Sequence, residues 1–330
     1  MKPKFLLLFI TSFLIFISCN KKENKTENTV LKGLVFGTTY KIYYKDVKDH
    51  KKAIDSLFAK VNQSVSTYIP NSDISRINRG DTTVVVDAIF KEVFLKSKKI
   101  HKTTNGFFDP TVGNLVNAYG FGPKQEQKNL TLEEVENYMK LVGFDKVILK
   151  NNKIVKEHPN IYLDFNSIAK GFGIDVIARY FDKKNIENYL IEIGGEIRAK
   201  GLKAKNMPWT IKLVNPVKVG SETGFTKLNL SNKSMATSGN YRKFRIANDG
   251  KKYVHTVNPK TGLAEESNLL SVSVISNLDC ADVDAYATAF MAMGLSKTKE
   301  FLLKNSEIEV ILIYFSKEKE LKEFSTYTYN

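Results

Sequence analysis

Stretches with a two-residue hydrophobic repeat and stretches with a helical repeat follow one another along this chain in no regular order. That irregularity narrows the possible folds more than any other feature, because a doubly wound parallel sheet needs strand and helix in regular alternation. Thr38 to Tyr44 alternates and is rich in aromatic and β-branched residues, as a half-buried strand requires. Lys51 to Val65 puts Ile54, Leu57, Phe58 and Val61 on one helical face, and Phe90 to Thr103 repeats the pattern. Ile161 to Phe165 is a short apolar run leading into a helix predicted over Ile168 to Asp182. Tyr189 to Ile193, Trp209 to Val214, Leu269 to Ser276 and Glu309 to Phe315 read as strands, and Ala281 to Met293 as an alanine-rich helix. The expectation is an α+β fold of mixed sheets with packed helices. No fixed-period repeat or Pro/Gly/Ser-rich linker divides residues 31–330, so they are expected to form one large domain, with a division into two subdomains left open. A hydrophobic fraction of 42% and a charged fraction of 26% in 330 residues exclude a disordered or collagen-like chain, and two cysteines exclude a disulfide framework.

The first eighteen residues set the compartment. Lys2 and Lys4 form a short basic region, and Phe5 to Ile17 an apolar stretch too short to span a bilayer comfortably. Ser18 then precedes Cys19, the layout of a bacterial lipoprotein signal. Cleavage before Cys19 and diacylation of its sulfur are expected, with residues 1–18 as signal peptide and 19–30 as a polar tether. The expected location is the bacterial cell membrane, lipid-anchored on its extracytoplasmic (periplasmic) side, and Lys21 does not decide between inner and outer membrane. With Cys19 lipidated, Cys280 is left without a partner for an internal disulfide. Lys and Arg (50) outnumber Asp and Glu (35), giving a net charge of +15. That excess, about +13 after cleavage, favours anionic partners. An exported, tethered protein meets no genomic DNA, so nucleic acid is set aside in favour of lipid headgroups, a phosphate-bearing ligand or plain solvation.

Several segments hold residues suited to chemistry. Asp284 and Thr288 are four apart, so both oxygens lie on one helix face. A carboxylate and a hydroxyl there suit a hard cation such as Mg2+, although a cap or dipole partner is the commoner role for such an aspartate. Asp164 to Gly173 puts an acid before a helix entrance and Ser167 at it, where free amides favour an anion and Lys170 adds a point charge. Ser167 as a simple N-cap and Lys170 as a solvated side chain fit that segment equally well. Glycines interleaved with aromatics over Gly106 to Gly122 suit a cleft lined by flat rings, or an aromatic core crossed by tight turns. Ile193-Gly194-Gly195-Glu196 and Met235 to Arg242 have the same two readings. His255 to Gly262 ends in a turn set by Pro259 and Gly262, and a lone histidine such as His255 is more often structural than catalytic. The histidines show no zinc-binding spacing, and the serine-hydrolase elbow, the Walker A loop and the Rossmann fingerprint are all absent from the sequence.

Taken in order, these segments resemble the ApbE family, the FAD:protein FMN transferases, from about Gly37 to Phe315. The matching runs are Gly37 to Tyr40, Ser66 to Asn78, Gly106 to Gly113, Asp164 to Gly173, Glu192 to Glu196, Ala236 to Arg242, His255 to Gly262 and Asp284 to Gly294. The resemblance implies an enzyme that splits FAD at its pyrophosphate, moves FMN onto a threonine hydroxyl of an exported protein and releases AMP. It implies Mg2+ held by Asp284, Thr288 and the main-chain carbonyl of Ser167. It also implies FAD contacts at Phe36, Asn78, Ala118, Tyr119, Gly120, Asp164 and Lys170, with Val257 as a further backbone contact. Ala287 stands where some members carry a second acid, which leaves the number of Mg2+ ions open. Asp284 and His255 are the catalytic candidates, the first chiefly as metal ligand and the second as a base. The implied acceptors are exported subunits of redox complexes, such as Na+-translocating NADH:quinone reductase or Rnf-type subunits. An FAD pyrophosphatase giving FMN and AMP, and a non-catalytic flavin-binding lipoprotein, are the alternatives.

Overall fold

The computed structural model describes residues 28–123, 129–203, 206–214, 216, 225–240, 244–246, 250, 252–264 and 267–329. The expected signal peptide, the lipidation site Cys19, residues 19–27 of the tether, and Tyr241 and Arg242 lie outside the described residues. The first part of the fold comprises β1 (Asn28–Val35), β2 (Thr38–Lys45), α1 (Lys51–Val65), α2 (Asp73–Asn78), α3 (Ala88–Thr103), α4 (Gly113–Ala118) and α5 (Leu132–Met139). Next come β3 (Val147–Lys150), β4 (Lys153–Lys156), α6 (Asn166–Lys183), β5 (Tyr189–Ile193), β6 (Glu196–Lys200), β7 (Trp209–Val214) and β8 (Phe225–Leu230). The last part is β9 (Lys233–Gly239), β10 (Phe244–Ile246), β11 (Lys252–Val254), β12 (Leu269–Ser276), α7 (Cys280–Leu302), β13 (Glu309–Phe315) and β14 (Leu321–Ser325).

Among the described residues eight strands form one sheet in the order β1-β2-β5-β6-β9-β12-β13-β14, and each adjacent pair runs antiparallel. The remaining strands make three separate hairpins, so the architecture is α+β as the irregular patterning implied. Strand alternation sorts the side chains onto two faces. Ile42, Tyr44, Ile191 and Ile193 join the core under α1 and α6. Leu190, Ile197, Ala199 and Met235 face the β7–β8 hairpin and pack with Trp209, Ile211 and Leu228. The result is helices, sheet and hairpin in three layers. A further cluster of Leu115, Tyr119, Phe121, Val142, Tyr253, Val257 and Ala264 joins α4 to the β10–β11 hairpin.

Three expectations change. β1 begins at Asn28, so the strand takes in residues 28–30, which the sequence had assigned to the tether. The helix expected to end at Met293 continues to Leu302 through an interruption at Gly294, whose φ of 74° is open to glycine. Met235 to Gly239, within the segment Met235 to Arg242 read as cleft lining or core turn, belongs to β9, a central strand between β6 and β12.

α6 is buried along most of its length because it packs on α1, α3, α7 and the sheet. Its closest approach is to the start of α7. A Cβ at Gly171 would stand 2.3 Å from the Cys280 carbonyl oxygen, so glycine there is what lets the two helices meet. One turn later the buried Asp175 carboxylate accepts N–H bonds from Cys280 and Ala281, both at 2.8 Å, and satisfies orphan amides of the first turn of α7. Burial, reinforced by nearby Asp279, pushes the Asp175 carboxyl up to about 7 against the pull of those amides. Below the ordinary carboxyl range both folded and unfolded chains carry the proton. Between there and about pH 7 only the folded chain keeps it, so this residue's stabilising contribution is lost as pH rises through that window. Asp175→Asn should therefore flatten the fall in urea-unfolding free energy between pH 4 and pH 7 (about the ordinary and shifted values); an unchanged slope would contradict it.

Candidate active site

One end of the sheet and the facing turns of α6 and α7 enclose a cavity of about 590 Å3. Gly37 and Thr38 come from the β1–β2 turn, and Asp164, Asn166, Ser167 and Lys170 from the entrance of α6. Gly194 and Glu196 come from the β5–β6 turn, Thr237 to Gly239 from the end of β9, His255 to Val257 from the segment after β11, and Asp284 and Thr288 from α7. A second cavity of about 560 Å3 shares Gly37, Tyr68, Asn166 and Lys170 with it and reaches Phe36. Antiparallel pairing brings the turns together. The β1–β2 and β5–β6 hairpins both close at this end, and β9 finishes there.

The electrostatic centre is a trio of two buried acids and one half-buried lysine. Lys170 Nζ lies 2.9 Å from Glu196 Oε1 and 3.6 Å from Asp284 Oδ1, and Gly171 N–H donates to Asp284 Oδ2 at 3.1 Å. Glu196 and Asp284 are 4% and 2% exposed, so their charges have almost no water to lean on. Burial pushes the Asp284 carboxyl up to about 7; Lys170 opposes the rise and Glu196 adds to it. Burial alone would lower the pKa of Lys170, but Asp284 and Glu196 outweigh it and hold the ammonium above its ordinary value. The trio is thus two carboxylates around one cation.

The donor chemistry of this cluster fits Mg2+. The candidate ligands around it are oxygens: the Asp284 carboxylate, the Thr288 hydroxyl one turn on, and the main-chain carbonyl at Ser167. Among the described residues Glu196 Oε2 is buried with no hydrogen-bond partner, which leaves acceptor capacity beside them. Among the described residues no three His, Cys, Asp or Glu side chains form a ready cage. Mg2+ commonly takes one or two carboxylates and completes its shell with water and substrate phosphates, so that sparse set suits it.

The expected site residues divide into two groups. Asp164, Ser167, Lys170, His255, Val257, Asp284 and Thr288 all line the larger cavity. Phe36 borders the smaller one, held at φ 50° in the hairpin turn, with its ring in space that a Cβ at Gly173 would fill. Asn78 lies away from the cavity lining. Its amide donates to Leu163 O and accepts from Leu163 N, both at 2.8 Å, fixing the chain just before Asp164. Ala118, Tyr119 and Gly120 sit behind the wall. Ala118 and Tyr119 are buried, Tyr119 Oη donates to Gly262 O at 3.1 Å, and Gly120 turns the chain at φ 84°. Glu196, Thr38, Tyr68 and Ser238 border the cavities without having been singled out as site residues. Glu196 had a local signal: two positive-φ glycines, Gly194 and Gly195, turn the chain directly before an acid that opens a strand.

A family model described as the ApbE family matches residues 36–312. The chain belongs to the ApbE family. It is 34% identical over 307 residues to the FAD:protein FMN transferase of Haemophilus influenzae, covering 88% of each chain. It is 35% identical over 297 residues to the protein of the same name from Vibrio cholerae, covering 87% of each. The solved flavin transferase ApbE of Vibrio cholerae superposes with a TM-score of 0.79 at 33% identity, over 91% of this chain and 97% of that one. The apo flavinyl transferase ApbE of Pseudomonas stutzeri gives 0.81 at 25% identity, over 91% and 95%.

In this ApbE-family chain the trio is a strained balance that substitution exposes. Lys170→Met leaves two buried carboxylates facing each other and should cost about 3 kcal/mol in urea unfolding. Adding Glu196→Gln should recover at least half of that loss; strictly additive losses in the double variant would contradict the pairing.

Proposed function

We propose that this chain is an Mg2+-dependent FAD:protein FMN transferase, attaching FMN from FAD to a threonine hydroxyl of an exported protein and releasing AMP. What supports this most is the gathering of Asp284, Thr288, Ser167 and Lys170 around one cavity, in a chain whose relatives are named FAD:protein FMN transferase. The two joined cavities have room for a dinucleotide, one half in each. In this reading Phe36, Asp164, Lys170 and Val257 contact FAD, while Asn78, Ala118, Tyr119 and Gly120 shape the wall against which it lies.

The chemistry follows from the charges. The acceptor oxygen bonds to the flavin-side phosphorus as the bond from that phosphorus to the bridging oxygen breaks, and AMP leaves with both bonding electrons. Mg2+ bound at Asp284, Thr288 and the Ser167 carbonyl supplies Lewis-acid stabilisation of charge on the phosphoryl oxygens. Lys170 is placed to turn its ammonium from the carboxylates toward a phosphate oxygen, a short move for a flexible stem. A threonine hydroxyl is a poor nucleophile at neutral pH, so its proton needs an acceptor, and His255 at the cavity edge takes that role in this reading. Acylation of Cys19 would hold the enzyme on the extracytoplasmic face, where exported subunits of Na+-translocating NADH:quinone reductase or Rnf-type complexes are the proposed acceptors.

Intact-mass analysis of a threonine-containing acceptor after incubation with enzyme, FAD and Mg2+ should show one added FMN. Asp284→Ala should slow its appearance on the order of 100-fold or more. An acceptor left unlabelled here but labelled by the Vibrio cholerae relative would overturn the proposal.

A further inference from the structure

The molecule has two chemically different ends. The cavity lies where the β1–β2 and β5–β6 hairpins turn, and the opposite ends of the same strands form a second surface. There Asn28, at the start of β1, pairs with Lys45 at the end of β2, and Thr29 Oγ1 donates to Asp46 O at 2.6 Å. Lys45 N–H donates to Asn188 O at 3.0 Å, and Asn188 Oδ1 accepts from Leu202 N–H at 2.7 Å. The loops after β2, after α6 and after β6 are thereby one continuous patch.

That patch is basic and partly apolar. Lys45, Lys48, Lys52, Lys183, Lys184 and Lys203 are exposed on it. Lys51 and Lys200 are paired with Asp55 and Asp182, which among the described residues leaves those six lysines against Asp46, Asp49 and Glu187. Among the lysines stand three exposed apolar side chains: Val47 (71%), Leu202 (37%) and Met207 (51%). Met207 O accepts from Lys203 N–H at 2.7 Å, so it belongs to the same loop. Cationic groups around small apolar tips suit an anionic interface, where lysines meet headgroups and the tips enter the acyl boundary.

The chain itself names the occupant. Nine residues, Cys19 to Glu27, precede β1, and covalent geometry limits their reach to about 30 Å. We propose that this end of the sheet rests on an anionic lipid surface, with the cavity turned away from it by the length of β1. Eight strand residues make that separation about 26 Å. The proposal rests on the lipid-anchor part of the functional reading. Its consequence is that acceptors are met from the aqueous side, with the modified threonine standing well clear of the headgroups.

Hydrogen–deuterium exchange on the full chain, purified from bacterial membranes, tests this. The protein is reconstituted on phosphatidylcholine vesicles and on vesicles with equal phosphatidylcholine and phosphatidylglycerol. Amides of 45–52, 183–188 and 200–203 should exchange at least about fivefold more slowly on the anionic vesicles, the factor that one lysine contributes near such a surface. Segments 66–69 and 255–257 at the cavity should not change, and Lys45→Glu/Lys48→Glu/Lys184→Glu should abolish the slowing. Slowing at the cavity segments, or equal exchange on both vesicles, would overturn the proposal. Intact mass reads Cys19 separately. If the cysteine is unmodified the anchor fails, and co-sedimentation with anionic but not neutral vesicles then decides the surface, its absence counting against the proposal.

Discussion

A lysine held between two buried carboxylates is the interaction on which the rest of this site depends. Lys170 belongs to α6, Asp284 to α7 and Glu196 to the turn that opens β6, so the ion cluster ties three elements that are distant in sequence. Buried charge is expensive unless paired, and here the pairing is incomplete. Two acids share one ammonium, and among the described residues Glu196 Oε2 has no partner. A site with surplus buried negative charge is one that gains from a cation or from extra donors. The same surplus that makes the protein locally less stable makes the cavity receptive.

The fold serves that arrangement by bringing α6 and α7 unusually close. Gly171 removes the side chain that would stand between the helices, its N–H meets Asp284, and Asp175 caps the first turn of α7. Lys96 adds a second tie from α3 to Asp279 and Asp282 at the same helix start. Asp284 therefore sits on a helix fixed at its N-terminus from two directions, which is what preorganises a ligand. Antiparallel hairpins do the rest, collecting turns at the cavity end and leaving lysine-bearing loops at the other. In the proposed orientation, the strands of the sheet separate the lipid-facing loops from the cavity.

Elements with strong local patterns were legible in the sequence. Lys51 to Val65 is α1 to the residue because its apolar positions recur on one helical face and burial follows them. The strand over Leu269 to Ser276 was equally plain. Lys233 to Gly239 was not, because Ser234, Thr237, Ser238 and Gly239 look polar, yet the strand lies mid-sheet where ladder bonds and Thr237–Ser273 hydroxyl contact satisfy those groups. In the cavity, Asp284 with Thr288 was readable because four-residue spacing is a local property of helices. The tie from Lys170 to Glu196 was not readable by spacing, since it spans a helix, a loop and a strand. Asn78 shows the opposite case: the family resemblance implies an FAD contact there, and its side-chain amide clamps Leu163.

The proposed divalent-cation site is the Asp284 cluster, an oxygen-donor set beside buried carboxylates. Electron paramagnetic resonance with Mn2+ in place of Mg2+ tests it most directly, because free and bound Mn2+ differ in signal and no acceptor or turnover is involved. The account predicts loss of the free-ion signal on titration with protein, and its retention with folded Asp284→Asn. Equal binding by the two proteins would contradict it.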